Sequence, residues 1–391
     1  MRRLGSALVL GLLLLTLCAP LGAARELRRQ MPFVRALLMG DAYVAVADEA
    51  SALFYNPAGL ARVQDNSVEA FSLQFASDVE LSRLLLDPTG VQSQYAGLTP
   101  AELAGRIGTG LHYDTSLRIP FIVSPGQGSA FGIGMESMGT ATIVDAGGGV
   151  PALELESFVD QTLVWTVYGR TGHLALGMTL KVISRAGVDK TIDAATLYAG
   201  GSLDLANDPD YQNLAAGQAH TRGGIDLGLV YEFPGAPNWQ PRLGLAILNL
   251  GGKRGAHYTG IEFSDPPDDV TPPVYGEFPL NIVAGFALSP TFNEVRYTFA
   301  LDLVDIGKTA LDGDSLNVRT RLGAAMEFGP HEDGSAMFSL LMGWNATHFG
   351  VGILSRVSVF EIGFGRYKIE KGEEPGAMPE HRRVLIFAIR V

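Results

Sequence analysis

The chain has one cysteine, Cys18, in 391 residues. Disulfide scaffolds, cysteine metal centres and thiol catalysis are therefore excluded for the body of the protein. Charge is also scarce: Asp, Glu, Lys and Arg make up 18%, against roughly 25% in soluble domains. No basic excess exists, since 29 Lys and Arg face 41 Asp and Glu, net −12. That balance argues against a nucleic-acid binder. Beyond residue 24 no apolar run reaches the roughly 18 residues needed for a membrane helix. What is present is a chain that is 47% hydrophobic with 48 glycines, too apolar and too weakly charged for disorder.

The first 24 residues read as an export signal. Arg2 and Arg3 precede an apolar stretch from Ala7 to Leu17, and Gly22-Ala23-Ala24 supplies the small residues of a cleavage site after Ala24. A lipoprotein anchored through Cys18 is disfavoured by the bulky Leu17 before it. A retained anchor is disfavoured by the shortness of the run. Losing Arg2 and Arg3 takes the 29 basic residues to 27 against 41 acidic ones, a net charge of −14. An exported chain without cysteine holds together through its own core or through a membrane.

The body alternates with period two, the mark of strands with one apolar face. Leu174, Leu176, Met178, Leu180 and Val182 alternate with Ala175, Gly177, Thr179 and Lys181. The same pattern runs through Ile225–Phe233, Val295–Leu303, Leu316–Phe328 and Leu385–Val391. The opposite face carries Gly, Ala, Thr and isolated charges of both signs. Such a face suits the lumen of a closed barrel whose outer wall meets lipid, and closure removes the edges that lipid does not tolerate.

Connection lengths give a second, independent signal. Strands are expected near 66–76, 115–124, 128–138, 161–169, 172–183, 222–233, 240–248, 279–288, 294–304, 316–328, 335–344, 349–354, 357–366 and 383–391, fourteen in all. Tight turns are expected at Pro125-Gly126-Gln127, Arg170-Thr171, Pro234-Gly235-Ala236-Pro237, Ser289-Pro290-Thr291, Gly329-Pro330-His331 and Ser355-Arg356. Between them come long connections near 77–114, 139–160, 184–221, 249–278 and 367–382, with a short exception at Asn345–His348. Short turns on one side and long loops on the other are the habit of outer-membrane barrels. In the first long loop, Thr99-Pro100-Ala101-Glu102 reads as a capped helix start. The reading is thus all-β: a transmembrane antiparallel β-barrel of about 14 strands over residues 66–391, preceded by an N-terminal segment over 25–65.

That preceding segment does not alternate. Residues 40–61 contain Gly40-Asp41-Ala42, Ala47-Asp48-Glu49-Ala50-Ser51-Ala52 and Asn56-Pro57-Ala58-Gly59-Leu60. Asp48 or Ser51 can cap a short helix, Asn56-Pro57 favours a turn, and Gly59 allows close approach of backbone. On physics alone this is a small element able to plug a barrel. These motifs resemble the N-terminal hatch of the FadL long-chain fatty-acid transporter superfamily, most closely the branch containing PorV and PorQ. The resemblance is sharp over about residues 36–62 and architectural beyond. It implies a barrel of about fourteen strands with the Asn-Pro-Ala hatch folded inside. It also implies either passage of hydrophobic molecules or, in the secretion branch, engagement of exported proteins at the cell surface. The chain departs from barrel habit by ending in Val391 rather than an aromatic residue. Asp41 also stands where relatives often carry glycine.

With this phase, Lys181, Asp226, Glu232, Arg242, Arg296, Asp302, Arg319, Arg321 and Glu327 point into the lumen. Buried charges require partners, so a network tying hatch to wall is expected, with Asp48 and Glu49 contacting inward arginines. The network reads either as a polar filter or as a static tie.

Enzyme signatures are missing. No Gly-x-Ser-x-Gly occurs, and the seven histidines lack metal-ligand spacing. Ile306-Gly307-Lys308-Thr309 has the tail of a P-loop, but Asp302 stands where the earlier glycine belongs. Asp265, Asp268, Asp269, Asp312 and Asp314 form acidic loops of the solvated kind. No cofactor is called for. The expected location is the outer membrane, with lipid and the barrel assembly machinery as partners. The further partner is a hydrophobic small molecule or, alternatively, a secreted or secretion-system protein.

Overall fold

A two-faced strand leaves hydrogen-bonding edges exposed unless its sheet closes on itself. The computed structural model describes residues 30–78, 102, 104–192, 220–250, 261–262, 280–307, 316–330, 336–345, 348–370 and 379–391. Among them, fourteen strands form one closed antiparallel barrel. They are β1 (Ser67–Asp78), β2 (Gly110–Ser124), β3 (Ser129–Asp145), β4 (Pro151–Thr171), β5 (Leu174–Ile192), β6 (His220–Glu232) and β7 (Arg242–Leu250). The second half is β8 (Asn281–Leu288), β9 (Val295–Leu303), β10 (Thr320–Pro330), β11 (Ala336–Asn345), β12 (His348–Val357), β13 (Phe360–Glu370) and β14 (Pro379–Arg390). Every strand pairs with its neighbours in sequence. The last returns to the first, from Glu69↔Arg390 to Asp78↔Arg382. Two short pieces join this wall: Ile261–Glu262 pairs with β6, and Thr291–Phe292 pairs with the start of β9.

The alternation sets the two faces as expected. On β5, Leu176 is 53% exposed while Thr179 and Lys181 are buried. On the far side of the barrel Met342 and Phe364 are equally open, and Leu385 on β14 matches them. No helix among the described residues is long and apolar enough to cross a membrane.

Several boundaries move. The stretch 139–160 is not a long loop: β3 runs to Asp145 and β4 starts at Pro151, paired directly. Their five-residue turn uses Gly147, Gly148 and Gly149, all at positive φ, with the Asp145 carboxylate accepting from the Gly147 and Gly149 amides. Leu153-Glu154-Leu155-Glu156 does alternate, but Phe158 then places a large apolar side chain on the inward phase, where it is buried. β5 likewise extends to Ile192. Arg170-Thr171 and Ser355-Arg356 are strand residues, and the chain reverses instead at Gly172 and Ser358, both at positive φ. Asn293 and Glu294 also have positive φ, the geometry of a two-residue hairpin turn that matches strand twist. The expected strand at 316–328 starts only at Thr320. Leu316–Arg319 is one helical turn, closed by the Thr320 hydroxyl donating to the Leu316 carbonyl. The leader, the helix start at 99–101 and the acidic loop residues Asp265, Asp268, Asp269, Asp312 and Asp314 lie outside the described residues.

Candidate functional site

Residues 30–63 pack against the inner face of the wall. Met31, Phe33, Leu38, Met39, Tyr43, Leu53, Tyr55 and Leu60 are among the most buried large side chains. The segment begins with one helical turn, Val34–Leu38. It ends in a Schellman arrangement, with Gly40 N–H donating to the Leu37 carbonyl and Asp41 N–H to the Ala36 carbonyl. Gly40 and Asp41 both have positive φ, +64° and +63°. The left-handed backbone at Asp41 accounts for glycine being at home in that position. A second turn, Ala52–Tyr55, leads into a 3-10 helix, Pro57–Arg62. Ser51 precedes the second turn with helical angles, and its hydroxyl does not cap it, contrary to expectation. The side chain that caps is Asn56, accepting from Ala58 N–H ahead of Pro57, which needs no donor partner.

Asn56 also ties the segment to itself and to the wall. Its amide nitrogen donates to the Val44 carbonyl at 2.9 Å and to the Leu229 carbonyl of β6 at 3.1 Å. Wall glycines make such approaches possible. A Cβ at Gly343 would stand 1.9 Å from the Gly40 nitrogen, and one at Gly228 would stand 2.1 Å from Asn56 Oδ1. Gly177 faces Pro57 and Ala58 in the same way, so the backbone of the Asn-Pro-Ala motif rests on β5 and β6. Gly59 turns its open side to the Ala47 carbonyl within the segment. Aromatic contacts finish the packing: Tyr43 meets Tyr55 edge-on at 5.3 Å, and Phe33 and Phe54 both meet Phe121.

The lumen charges divide into two groups. One group holds the segment. Asp302 Oδ2 accepts from the backbone amides of Tyr43 and Val44 at 2.6 and 2.8 Å. Arg242 donates to the Ala45 carbonyl at 3.1 Å and to Ser289 Oγ. Glu327 receives Arg35 of the segment as well as Arg296 of the wall. Glu232 lies between Arg62 and Arg170. The other group pairs within the wall: Lys181 with Asp226 at 2.8 Å, and Arg319 with Asp305 at 2.9 Å. Arg321 is buried and donates to the Thr320 carbonyl.

Asp48 and Glu49 meet arginines other than those named from the sequence. Glu49 pairs with the wall, but through Arg390. Asp48 pairs with Arg35 and Arg62 of its own segment rather than with the expected wall arginines. Burial alone would raise the Asp48 carboxyl, but Arg35 and Arg62 outweigh it and hold it at about 2. Glu49 is lowered from its ordinary value by Arg390 and Arg35 against the same burial.

Sequence reading missed Arg35, Arg62, Glu69, Arg118 and Arg390. Arg390 carried a usable signal, since it sits between Ile389 and Val391 on the inward phase of β14. Glu69 did not. A register shift between Glu69 and Phe71 turns it inward out of phase with Ser72 and Gln74. There it accepts from Arg118 at 2.9 Å, whose guanidinium lies 4.1 Å over the Phe33 ring.

A closed β-barrel with an apolar outer face and an inner segment wedged against its wall is a plugged barrel. No family model matches the chain, and no curated protein matches it. Solved structures do resemble it. The Pseudomonas putida toluene transporter TodX superposes with a TM-score of 0.47 at 12% identity, over 93% of this chain and 98% of that one. CymD, a monoaromatic hydrocarbon channel, gives 0.47 at 14% over 94% and 97%. A Pseudomonas aeruginosa FadL homologue gives 0.43 at 11% over 94% and 98%.

Proposed function

We propose that this chain is a FadL-type barrel of the bacterial outer membrane that admits hydrophobic small molecules. The observation that carries the reading is the placement of the hatch-like motif, Asn56-Pro57-Ala58, on the inner faces of Gly177 and Gly228. A barrel filled this way is no open aqueous pore, and its apolar outer belt suits lipid. Lipid and the barrel assembly machinery are the further partners this reading calls for. The alternative, a component of type IX secretion engaging exported proteins, gains no support from the described residues or from the structural comparisons.

The test is uptake. A Gram-negative host expressing the protein should accumulate a labelled monoaromatic hydrocarbon faster than the same host with an empty vector. Equal rates, with the protein present and folded in the outer membrane, would overturn the reading.

A further inference from the structure

We infer that the lumen contains a seat for the neutral polar head of an amphiphile, built from Gln74 and Ser116. This rests on the channel reading above and narrows its substrate class. Gln74 and Ser116 are direct cross-strand partners on β1 and β2. Both are fully buried and face inward, since Leu73 beside Gln74 is on the open outer face. Among the described residues, neither amide atom of Gln74 nor the Ser116 hydroxyl has a hydrogen-bond partner. Two adjacent buried polar side chains left unsatisfied are unfavourable for folding alone and rare in native interiors. Function is a common reason for such a departure.

The surroundings define what fits. Across β14, Gln74 pairs with Ile386, and its next inward neighbour Ala76 pairs with Val384. All three neighbours are buried and apolar, and belong to the same core cluster as Leu38 and Met39 of the inner segment. On the other flank Ser116 pairs with Glu136, whose Oε2 accepts from the Met31 amide. Asp114 is the next inward residue along β2. The nearest cation on that strand, Arg118, is engaged by Glu69 and Ser72. Carboxylates flank the seat, so an anionic head is disfavoured. A carboxamide and a hydroxyl together offer donor and acceptor, which a ligand hydroxyl satisfies in both senses.

The experiment uses purified protein exchanged from detergent into amphipol. It is equilibrated with 1-decanol, n-decane or decanoate at equal free concentration, and the bound molecule is quantified by gas chromatography. Wild type should retain decanol about tenfold over decane, the scale of one good hydrogen bond. The Gln74→Leu/Ser116→Ala variant should retain both equally. It removes unsatisfied polar groups, so it is expected to fold, checked by heat-dependent gel mobility. Equal retention of decanol and decane by wild type, a preference that survives in the variant, or tightest retention of decanoate would each overturn the inference alone. Retention of none of the three by wild type would overturn the channel reading as well.

Discussion

Glu49 of the inner segment forms an ion pair with Arg390, the next-to-last residue, across 341 positions of sequence. Arg390 also reaches Glu69 of β1 and Glu361 of β13, each at 3.1 Å. One guanidinium thus binds the segment, the first strand and the last two strands at the seam where the barrel closes. Replacing it with Met would take this partner from Glu49 and Glu361, while Glu69 would keep Arg118. A buried charge stripped of its partner costs roughly 3–5 kcal/mol. Arg390→Met is therefore expected to lower the temperature at which the folded band disappears on a gel, and Arg390→Lys to lower it less. An unchanged transition for Arg390→Met would show that the seam does not depend on this contact.

The contact between segment and wall is one of backbone against backbone at Gly343. A methyl there would stand 1.9 Å from the Gly40 nitrogen, and neither partner has a side chain to move aside. Overpacking of this kind costs roughly 1–3 kcal/mol. Gly343→Ala should expose the segment to trypsin at Arg35 and Arg62 while the barrel persists. Gly126→Ala is the control, because nothing lies within 4 Å of a Cβ at Gly126. Equal digestion of the two variants would contradict the account.

Acid should loosen the segment only late. A carboxyl held below its unfolded value adds stability that is complete above about pH 4 and is lost as pH falls through the folded value. For Asp48 that value is about 2, set by Arg35 and Arg62 against burial. Hydrogen exchange or digestion with an acid-active protease should therefore show the segment protected at pH 4 and released as pH approaches 2. Asp48→Asn should show weaker protection already at neutral pH. Release of the wild-type segment between pH 6 and 5 would exclude this pair as its tie.

Much of this was legible in the residues. Period-two alternation gave the inward phase of Lys181, Asp226, Asp302 and Glu327, because a strand that is apolar on one side and lipid-facing leaves little freedom of phase. The turn residues marked the short connections to within a few positions. Three things were hidden. The outer part of β4 was hidden, because Phe158 puts a large apolar residue on the inward phase next to the alternating Leu153–Glu156 run. The pairing of charges was also hidden, since Asp48 could meet any inward arginine until the segment's fold brought Arg35 and Arg62 to it. The inward turn of Glu69 depends on a register shift that no alternation records.

The central claim, a lipid-facing barrel with residues 30–63 enclosed, is open to one direct measurement. With Cys18 as its only cysteine, the chain cut after Ala24 has none, so single cysteines can be placed at Leu176, Met342 and Ala47. Leu176 and Met342 lie on the open outer face, and Ala47 is buried in the segment. In lipid nanodiscs, a lipid-soluble maleimide should label Leu176→Cys and Met342→Cys but not Ala47→Cys, and a water-soluble maleimide should label none. After heat unfolding both reagents should label all three. Labelling of Ala47→Cys in the folded protein, or of the two outer sites by the water-soluble reagent, would contradict the account.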